Sequence, residues 1–165
     1  MTTINYLAYG SNLFPPRLAE RIAICGVVGI ALLPDTRLAF SKRGADGSGK
    51  CCLLAGVGAQ AYGVVYRINT ADQAQLDHIE GVGHGYRVES HVDAVHGACF
   101  FYRTEESALD AALLPFDWYH AYVLAGARYH RLPADYVAAI AALNTVVDND
   151  AQRRAENFAR LARCP

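Results

Sequence analysis

The stretch Tyr6–Leu13 (YLAYGSNL) decides how the chain begins to fold, because an apolar run changes into a turn there. Asn5–Tyr9 is apolar and aromatic, which favours a β-strand, and Gly10-Ser11-Asn12 breaks that run. The following pair Pro15-Pro16 suits the first turn of a helix. The sequence therefore predicts a first strand, a tight loop and a short helix over Arg17–Ile22.

Outward from this stretch, strands come first and helices follow. Runs of apolar, β-prone residues predict six further strands: Gly26–Leu33, Thr36–Ser41, Cys51–Ala55, Ala61–Ile68, Tyr86–Val95 and Ala98–Arg103. Between the second and third of these, Arg43–Lys50 contains three glycines and an aspartate, which predicts an exposed loop. Beyond Glu105, Ala- and Leu-rich segments predict three helices: Phe116–Ala125, Ala134–Leu143 and Ala151–Ala162. This order favours the α+β class over a doubly wound α/β fold.

One helix is predicted among the strands. Thr70 and Gln73, three residues apart, have the pattern of a capping box at a helix start. Leu76 and Ile79 would form the buried side of this helix, and Gly81 is a natural stop. We therefore expect a short helix that ends immediately after Glu80.

The strand after this helix, Tyr86–Val95, has an alternating pattern. Val88 and Val92 share one side with Tyr86, whereas the other side carries charged residues and a histidine, among them Glu89. Alternation of this kind is typical of a half-buried strand.

Composition excludes several classes of function. A chain of 165 residues with 53% hydrophobic residues has the size and content of a single domain, here taken as 1–165. Fifteen basic and sixteen acidic residues leave a formal net charge of −1, which gives no indication of nucleic-acid or membrane binding. The longest apolar stretch, Ile22–Leu33, is shorter than the roughly 20 residues that span a bilayer. With no secretion signal at the N-terminus, we expect a cytoplasmic protein acting on a small molecule.

The cysteines and histidines do not indicate a metal site. The five cysteines lack C-x-x-C spacing and are expected to be reduced, with Cys51 and Cys52 buried or at a sheet edge and Cys164 an exposed thiol. The six histidines are scattered through strands, turns and helices, which favours hydrogen-bonding roles. No metal is expected.

Five ordered segments of the chain resemble the γ-glutamylcyclotransferase family. The signature pair is Tyr6–Leu13 and Leu76–Val82 (LDHIEGV). Three further matches follow in the family's order: Ala61–Tyr66 (AYGVVY), Gly85-Tyr86, and Gly126-Ala127 before Leu132-Pro133 and Tyr136. The resemblance covers roughly 5–142 and leaves a C-terminal helical extension over 145–165.

The resemblance implies a fold, a reaction and a set of residues. The fold would be a small mixed, partly closed β-barrel with helices packed outside. The reaction would release 5-oxoproline from a γ-glutamyl amine or amino acid, as in glutathione metabolism, with no metal or organic cofactor. Glu80 would be the catalytic acid/base. The substrate would be bound by Tyr9, Gly10, Ser11, Asn12 and Leu13, and Tyr102 would line the pocket.

These residue types suit an internal aminolysis. The α-amine of the γ-glutamyl group attacks its own γ-carbonyl, so the protein needs no nucleophile, and orientation alone can contribute roughly 7–11 kcal/mol. One carboxylate, Glu80, can take the proton from the amine and return it to the leaving nitrogen. The loop Gly10–Asn12 can direct consecutive amides at a carboxylate or an oxyanion.

Several alternatives stay open at this level. The leaving group could instead be a γ-glutamyl-protected biosynthetic intermediate or an isopeptide lysine. The same fold could be a non-catalytic binding module, or Cys99 could serve a cysteine hydrolase. Tyr119 is more readily interpreted as a packing residue of a helix than as part of a pocket. The C-terminal helix could pack on the body or contact a second subunit in a homodimer.

Overall fold

The computed structural model describes residues 2–163, and Cys164 therefore lies outside the described part of the chain. The strands in this range are β1 (Thr3–Ala8), β2 (Ile24–Arg43), β3 (Gly49–Asn69), β4 (Tyr86–Asp93) and β5 (Gly97–Thr104). The α-helices are α1 (Pro15–Ala19), α2 (Gln73–Glu80), α3 (Asp117–Tyr129), α4 (Ala134–Ala141) and α5 (Ala151–Ala162). Short 3-10 turns cover Ser11–Leu13, Thr70–Asp72 and Glu106–Ala108.

The strands form one mixed sheet in the order β2-β3-β1-β5-β4. Only β1 and β5 run parallel, while the other neighbours are antiparallel. The predicted α+β class is confirmed, with helices packed beside a mixed sheet. The sheet is not a closed barrel, because no pairing within residues 2–163 joins the edge strands β2 and β4. The sheet curls far enough for His96, in the β4–β5 turn, to place Nε2 3.0 Å from the Ile30 carbonyl oxygen.

Strands β2 and β3 form one long hairpin, where the sequence predicts four shorter strands. Irregular register at several points, including Pro34 to Thr36, bends the ladder without ending it. At its closed end, the predicted loop Arg43–Lys50 is only partly exposed. Ser48 is 2% exposed, and Asp46 accepts hydrogen bonds from its amide and its hydroxyl at 3.0 and 2.8 Å. These local bonds fold the turn back toward the body.

Helix α2 ends as predicted and begins differently. Gly81 follows it in the left-handed conformation (φ 77°), which glycine adopts without strain. No side chain caps its start. The predicted capping box is therefore wrong, since the chain enters through the 3-10 turn after Asn69. Leu76 is fully buried, but Ile79 is 40% exposed because it lies over a cavity.

Strand β4 carries its valines on the exposed side. Val92 is 75% exposed and Val88 37%, although Tyr86 is buried. Asp93 is buried instead, because its carboxylate accepts hydrogen bonds from the amides of Val95 and His96 in the adjacent turn. The strand does alternate, but as an edge strand it extends past the covered part of the sheet. The hydrogen bonds of the adjacent turn explain why Asp93 is buried at its end.

Helix α3 fixes the loop that follows β1. A Cβ on Gly126 would lie 2.5 Å from the backbones of Leu13 and Phe14, so only glycine permits this contact. The C-terminal helix α5 packs on α3: Arg154 bonds Asp117 at 2.7 Å. Phe158 and Leu161, also on α5, pack against the core. Within residues 2–163, no helix is both long enough and apolar enough to cross a membrane.

Candidate active site

The end of α2 meets the loop after β1. The Asn12 side-chain amide donates to Glu80 Oε1 at 2.9 Å and to the Tyr6 hydroxyl at 2.9 Å. Arg21 forms an ion pair with the same Glu80 oxygen at 2.5 Å and donates to Asn12 Oδ1 at 3.0 Å. Two segments that are 68 residues apart in the chain are therefore joined at a single carboxylate.

The two oxygens of Glu80 differ. Oε1 accepts hydrogen bonds from both Asn12 and Arg21, whereas Oε2 accepts none from residues 2–163. The side chain is 18% exposed, and Glu80 lines a cavity. The carboxylate is thus held through one oxygen and leaves the lone pairs of the other available to a ligand.

Glu80 lines a small cavity, here called the inner niche, with a volume of about 20 Å³. Its walls are formed by Tyr6, Tyr9, Gly10, Ser11, Asn12, Cys51, Glu80, Tyr86, Tyr102 and Tyr119. Five of these residues are tyrosines, and all five are buried. Apart from Glu80, the wall carries no charged residue.

Three of the tyrosine hydroxyls donate hydrogen bonds to other residues of the protein. Tyr9 donates to the Tyr102 carbonyl at 2.5 Å, and Tyr86 to the Cys51 carbonyl at 2.6 Å. Tyr102 donates to Asp77 Oδ1 at 2.7 Å. These bonds lock the rings in place and connect the niche to α2.

The other two tyrosine hydroxyls act as acceptors. Tyr6 accepts from Asn12, and Tyr119 accepts from the Cys51 amide at 3.2 Å. Neither hydroxyl donates to an oxygen or nitrogen acceptor in the described part of the chain, so each O–H can be offered to a ligand. Burial raises the pKa of both phenols well above the usual value, which keeps them protonated and able to donate.

The backbone of the loop adds two more donors. Leu13 and Phe14 donate their amides to Gly10 and Ser11 in the 3-10 turn. The amides of Ser11 and Asn12 lie at the start of this turn, before its first hydrogen bond, and have no acceptor among residues 2–163. Gly10 is required here by close approach, since a Cβ would lie 3.0 Å from the Cys51 Cβ and 3.5 Å from the Tyr119 hydroxyl.

Comparison with known proteins finds similar sequences. Residues 60–140 match the model of the AIG2-like family. A Bos taurus γ-glutamylcyclotransferase is 28% identical over 152 residues, covering 88% of this chain and 79% of that protein. The Mus musculus γ-glutamylcyclotransferase is 29% identical over 141 residues, covering 81% and 75%.

Solved structures show the same fold. A γ-glutamyl cyclotransferase structure superposes with a TM-score of 0.86 at 24% identity, covering 98% of this chain and 99% of the other. An uncharacterized Homo sapiens protein superposes with a TM-score of 0.79 at 23% identity, covering 93% and 98%. In sequence and in fold, the chain is similar to γ-glutamylcyclotransferases. These relatives indicate that it is an enzyme.

A second and larger cavity adjoins the niche. This outer cavity has a volume of about 500 Å³ and shares Ser11, Glu80, Tyr86 and Tyr119 with the inner niche. Its remaining walls are Arg17, Arg21, Lys42, Arg43, Gly44, Ala45, Asp46, Lys50, Ile79, Gly81, His84 and Trp118. The two cavities are therefore in contact along a common wall that contains Glu80.

The residues singled out from the sequence are placed as follows. Tyr9, Gly10, Ser11, Asn12 and Tyr102 line the inner niche with Glu80, and Tyr119 does so as well as packing against Phe40 and Trp118. Leu13 does not line it: its side chain is fully buried, and its carbonyl accepts from Tyr66 at 2.8 Å.

Cys99, the residue of the cysteine alternative, lines neither the inner niche nor the outer cavity. It lines a third cavity together with His91, whose carbonyl oxygen lies 3.5 Å from the Cys99 Sγ. Burial raises the pKa of Cys99 to about 11, so the thiol is not a ready nucleophile. No group of three or more potential ligands (His, Cys, Asp or Glu) within residues 2–163 is placed to hold a metal ion.

Several site residues are not evident from the sequence. Arg21, Tyr6 and Cys51 read as ordinary helix and strand residues. Tyr86 stands out only as the start of a matched strand. Their places depend on the pairing of β1 with β5 and on the segment after α1, where the Arg21 side chain reaches Glu80. The one available signal is that Tyr6 begins the signature segment Tyr6–Leu13.

Proposed function

We propose that this protein converts γ-glutamyl amines or amino acids to 5-oxoproline and a free amine, with Glu80 as general acid/base. The single observation that carries the proposal is the position of Glu80. One of its oxygens is fixed by Asn12 and Arg21, and the other is free beside a niche lined by hydrogen-bond donors. The activity named for the related bovine and mouse proteins agrees with this chemistry.

The first step is proton transfer from the substrate. The α-ammonium of the γ-glutamyl group gives a proton to Glu80 Oε2, and the free amine then attacks the γ-carbonyl carbon. A carbon–nitrogen bond forms, and the carbonyl oxygen becomes an oxyanion. Because both reacting groups belong to one molecule, the protein mainly holds the folded-over conformer.

The oxyanion needs donors that are in place before the reaction. The hydroxyls of Tyr6 and Tyr119 and the amides of Ser11 and Asn12 are the unused donors of this region. Donors that meet developing charge contribute about 2.7–4 kcal/mol each. When the intermediate collapses, the amide bond breaks, and the leaving nitrogen takes the proton held by Glu80. The ring nitrogen then gives its second proton to the Glu80 carboxylate, which passes it to the released amine, so that a neutral lactam and an ammonium group result.

The proposal includes the cellular compartment. We place the enzyme in the cytoplasm, where thiols stay reduced. Cys25, Cys51, Cys52 and Cys99 are all free thiols, which fits this assignment.

The decisive experiment is Glu80→Gln, which keeps the shape of the side chain but cannot shuttle protons. We expect 5-oxoproline release from a γ-glutamyl amino acid to fall by roughly 100- to 10,000-fold, the usual contribution of general acid–base catalysis. Mass spectrometry of the product provides the measurement. Glu106→Gln, at an exposed glutamate, is the matched control and should keep full activity. Wild-type rates in Glu80→Gln would exclude the mechanism, and free glutamate as the wild-type product would indicate hydrolysis.

A further inference from the structure

The wall of the outer cavity is strongly cationic. Five of its side chains are basic: Arg17, Arg21, Lys42, Arg43 and Lys50. Only Asp46 and Glu80 are acidic. The net charge of the chain is −1, so this excess is local to the cavity.

Three of the five cations have carboxylate partners. Arg21 pairs with Glu80, Lys50 with Asp46 at 2.7 Å, and Arg43 with Asp110 at 3.3 Å. Arg17 and Lys42 differ, because no carboxylate of residues 2–163 lies within 4.0 Å of either.

Arg17 is held against aromatic surface with part of its hydrogen-bonding capacity unused. Its guanidinium lies 4.3 Å from the centroid of the Tyr122 ring, and its buried Nε has no hydrogen-bond partner. Burial, followed by the nearby charge of Arg21, lowers its pKa. A buried guanidinium without an anion is costly unless a ligand supplies one.

Lys42, in β2, is also a buried cation without a carboxylate partner. The residue is 7% exposed, and Nζ lies 4.5 Å from the centroid of the Tyr86 ring. Burial lowers its pKa, which the negative charge of Glu80 opposes. Because Tyr86 belongs to both cavities, Lys42 stands where a ligand would pass from the niche into the outer cavity.

These positions have a consequence for the leaving group. With the γ-glutamyl group at Glu80, the amine that departs must extend into the outer cavity, which is the space that adjoins the niche. A cationic leaving group such as an isopeptide lysine would meet five basic side chains there. An anionic one would meet two unpaired cations.

We propose that the outer cavity binds a leaving amine that carries two negative charges, one for Arg17 and one for Lys42. This inference rests on the proposed function. The chemical class is an amine with two anionic groups, either an acidic amino acid with two carboxylates or an amino acid bearing a phosphate. The bonds formed and broken are those of the cyclisation above, and the dianion leaves as the free amine.

The test compares substrates that differ only in charge. γ-Glutamyl-glutamate and γ-glutamyl-glutamine have nearly the same size, but the second lacks one negative charge. We expect kcat/KM for 5-oxoproline release to be at least about tenfold higher for γ-glutamyl-glutamate, and the ratio to fall toward one in high salt as the charges are screened. γ-Glutamyl-phosphoserine distinguishes a dicarboxylic leaving group from one that bears a phosphate. If it reacts faster than γ-glutamyl-glutamate, the cavity binds a phosphate.

Variants assign the preference to the two cations. Lys42→Met and Arg17→Met keep the apolar part of each side chain, and each should reduce the glutamate-to-glutamine ratio severalfold. Arg128→Gln is the matched control, because Arg128 is an exposed arginine outside both cavity walls, and it should leave the ratio unchanged. If a variant does not fold, the salt dependence of the wild-type ratio still tests whether charge sets the preference.

The two proposals fail in different ways. If 5-oxoproline forms at equal rates from both dipeptides, the charge preference is wrong and the cyclotransferase function stands. If neither dipeptide nor the phosphoserine compound gives 5-oxoproline, the proposed function fails and takes this inference with it.

Discussion

The inner niche and the outer cavity share a wall but differ in how that wall is built. The niche is small, lined by buried tyrosines and nearly uncharged, and three of its five phenols are locked by hydrogen bonds. The outer cavity is wide, and five cations line it. The niche therefore suits a step that needs fixed geometry, whereas the outer cavity suits selection by charge. Glu80 lines both cavities, so it lies between the region of fixed geometry and the region that selects by charge.

The largest effect on the niche should come from the side chain that fixes Glu80. Asn12→Leu keeps the volume but removes the donors to Glu80 and Tyr6. We expect kcat to fall by roughly 100-fold or more, because the carboxylate is no longer held for proton transfer. KM should change less. Steady-state release of 5-oxoproline measures both.

The control for this change is Asn144→Leu, at an exposed asparagine outside both cavities. It should keep wild-type kcat. A kcat within threefold of wild type in Asn12→Leu would mean that Glu80 does not depend on Asn12. The niche would then be no more preorganised than the outer cavity.

A smaller effect should follow from removing one unused donor. Tyr119→Phe deletes the hydroxyl that accepts from the Cys51 amide and offers its proton to the niche. We expect kcat/KM to fall by roughly 10- to 100-fold, at or below the usual loss for one oxyanion donor. The preference between γ-glutamyl-glutamate and γ-glutamyl-glutamine should persist, because Arg17 and Lys42 are intact.

Tyr129→Phe, at a tyrosine that is 56% exposed, controls for the loss of a phenol elsewhere on the same helix. It should have no effect on either substrate. If Tyr119→Phe instead abolished the preference between the two dipeptides at unchanged kcat, Tyr119 would serve the outer cavity and the division between the two regions would be wrong.

The same two regions explain how far the sequence could predict the site. The sequence predicts the niche because the loop and the carboxylate of the niche lie in two contiguous segments, Tyr6–Leu13 and Leu76–Val82. It does not predict the outer cavity, since Arg17, Lys42 and Lys50 come from separate elements that only the folded chain brings together. Nothing in the local pattern around Lys42 distinguishes it from a solvated strand residue.

The fold shows the same limit. The first strand, the stop at Gly81 and the helices after Glu105 follow from local chemistry, and the α+β class follows from their order. The direction in which Val88 and Val92 face depends on which part of the sheet is covered, and the open edge between β2 and β4 depends on curvature. Both are set by contacts between distant segments, which alternation and turn residues do not encode.

The smallest effect on catalysis, with a clear effect on stability, should come from the cluster of Asp148, Trp118 and Arg153, here called the clasp. Asp148 is buried and accepts hydrogen bonds from Trp118 Nε1 at 2.7 Å and from Arg153 at 2.6 and 2.7 Å. The Arg153 side chain, helped by Trp118, lowers the pKa of Asp148. Because Trp118 also lines the outer cavity, the clasp supports that wall without touching substrate.

Asp148→Asn should therefore lower the Tm at pH 7 by roughly 3–6 °C and leave the substrate preference intact. A carboxylate whose folded pKa is depressed contributes stability above its unfolded pKa and loses it as the pH falls toward the folded value. The Tm gap between wild type and variant should thus be widest near neutrality and narrow progressively below about pH 4. Asp135→Asn, at an exposed aspartate, should show no such gap. A gap that stays constant down to pH 3 would show that the charge on Asp148 is immaterial, and a changed substrate preference would show that the outer cavity depends on the clasp for more than support.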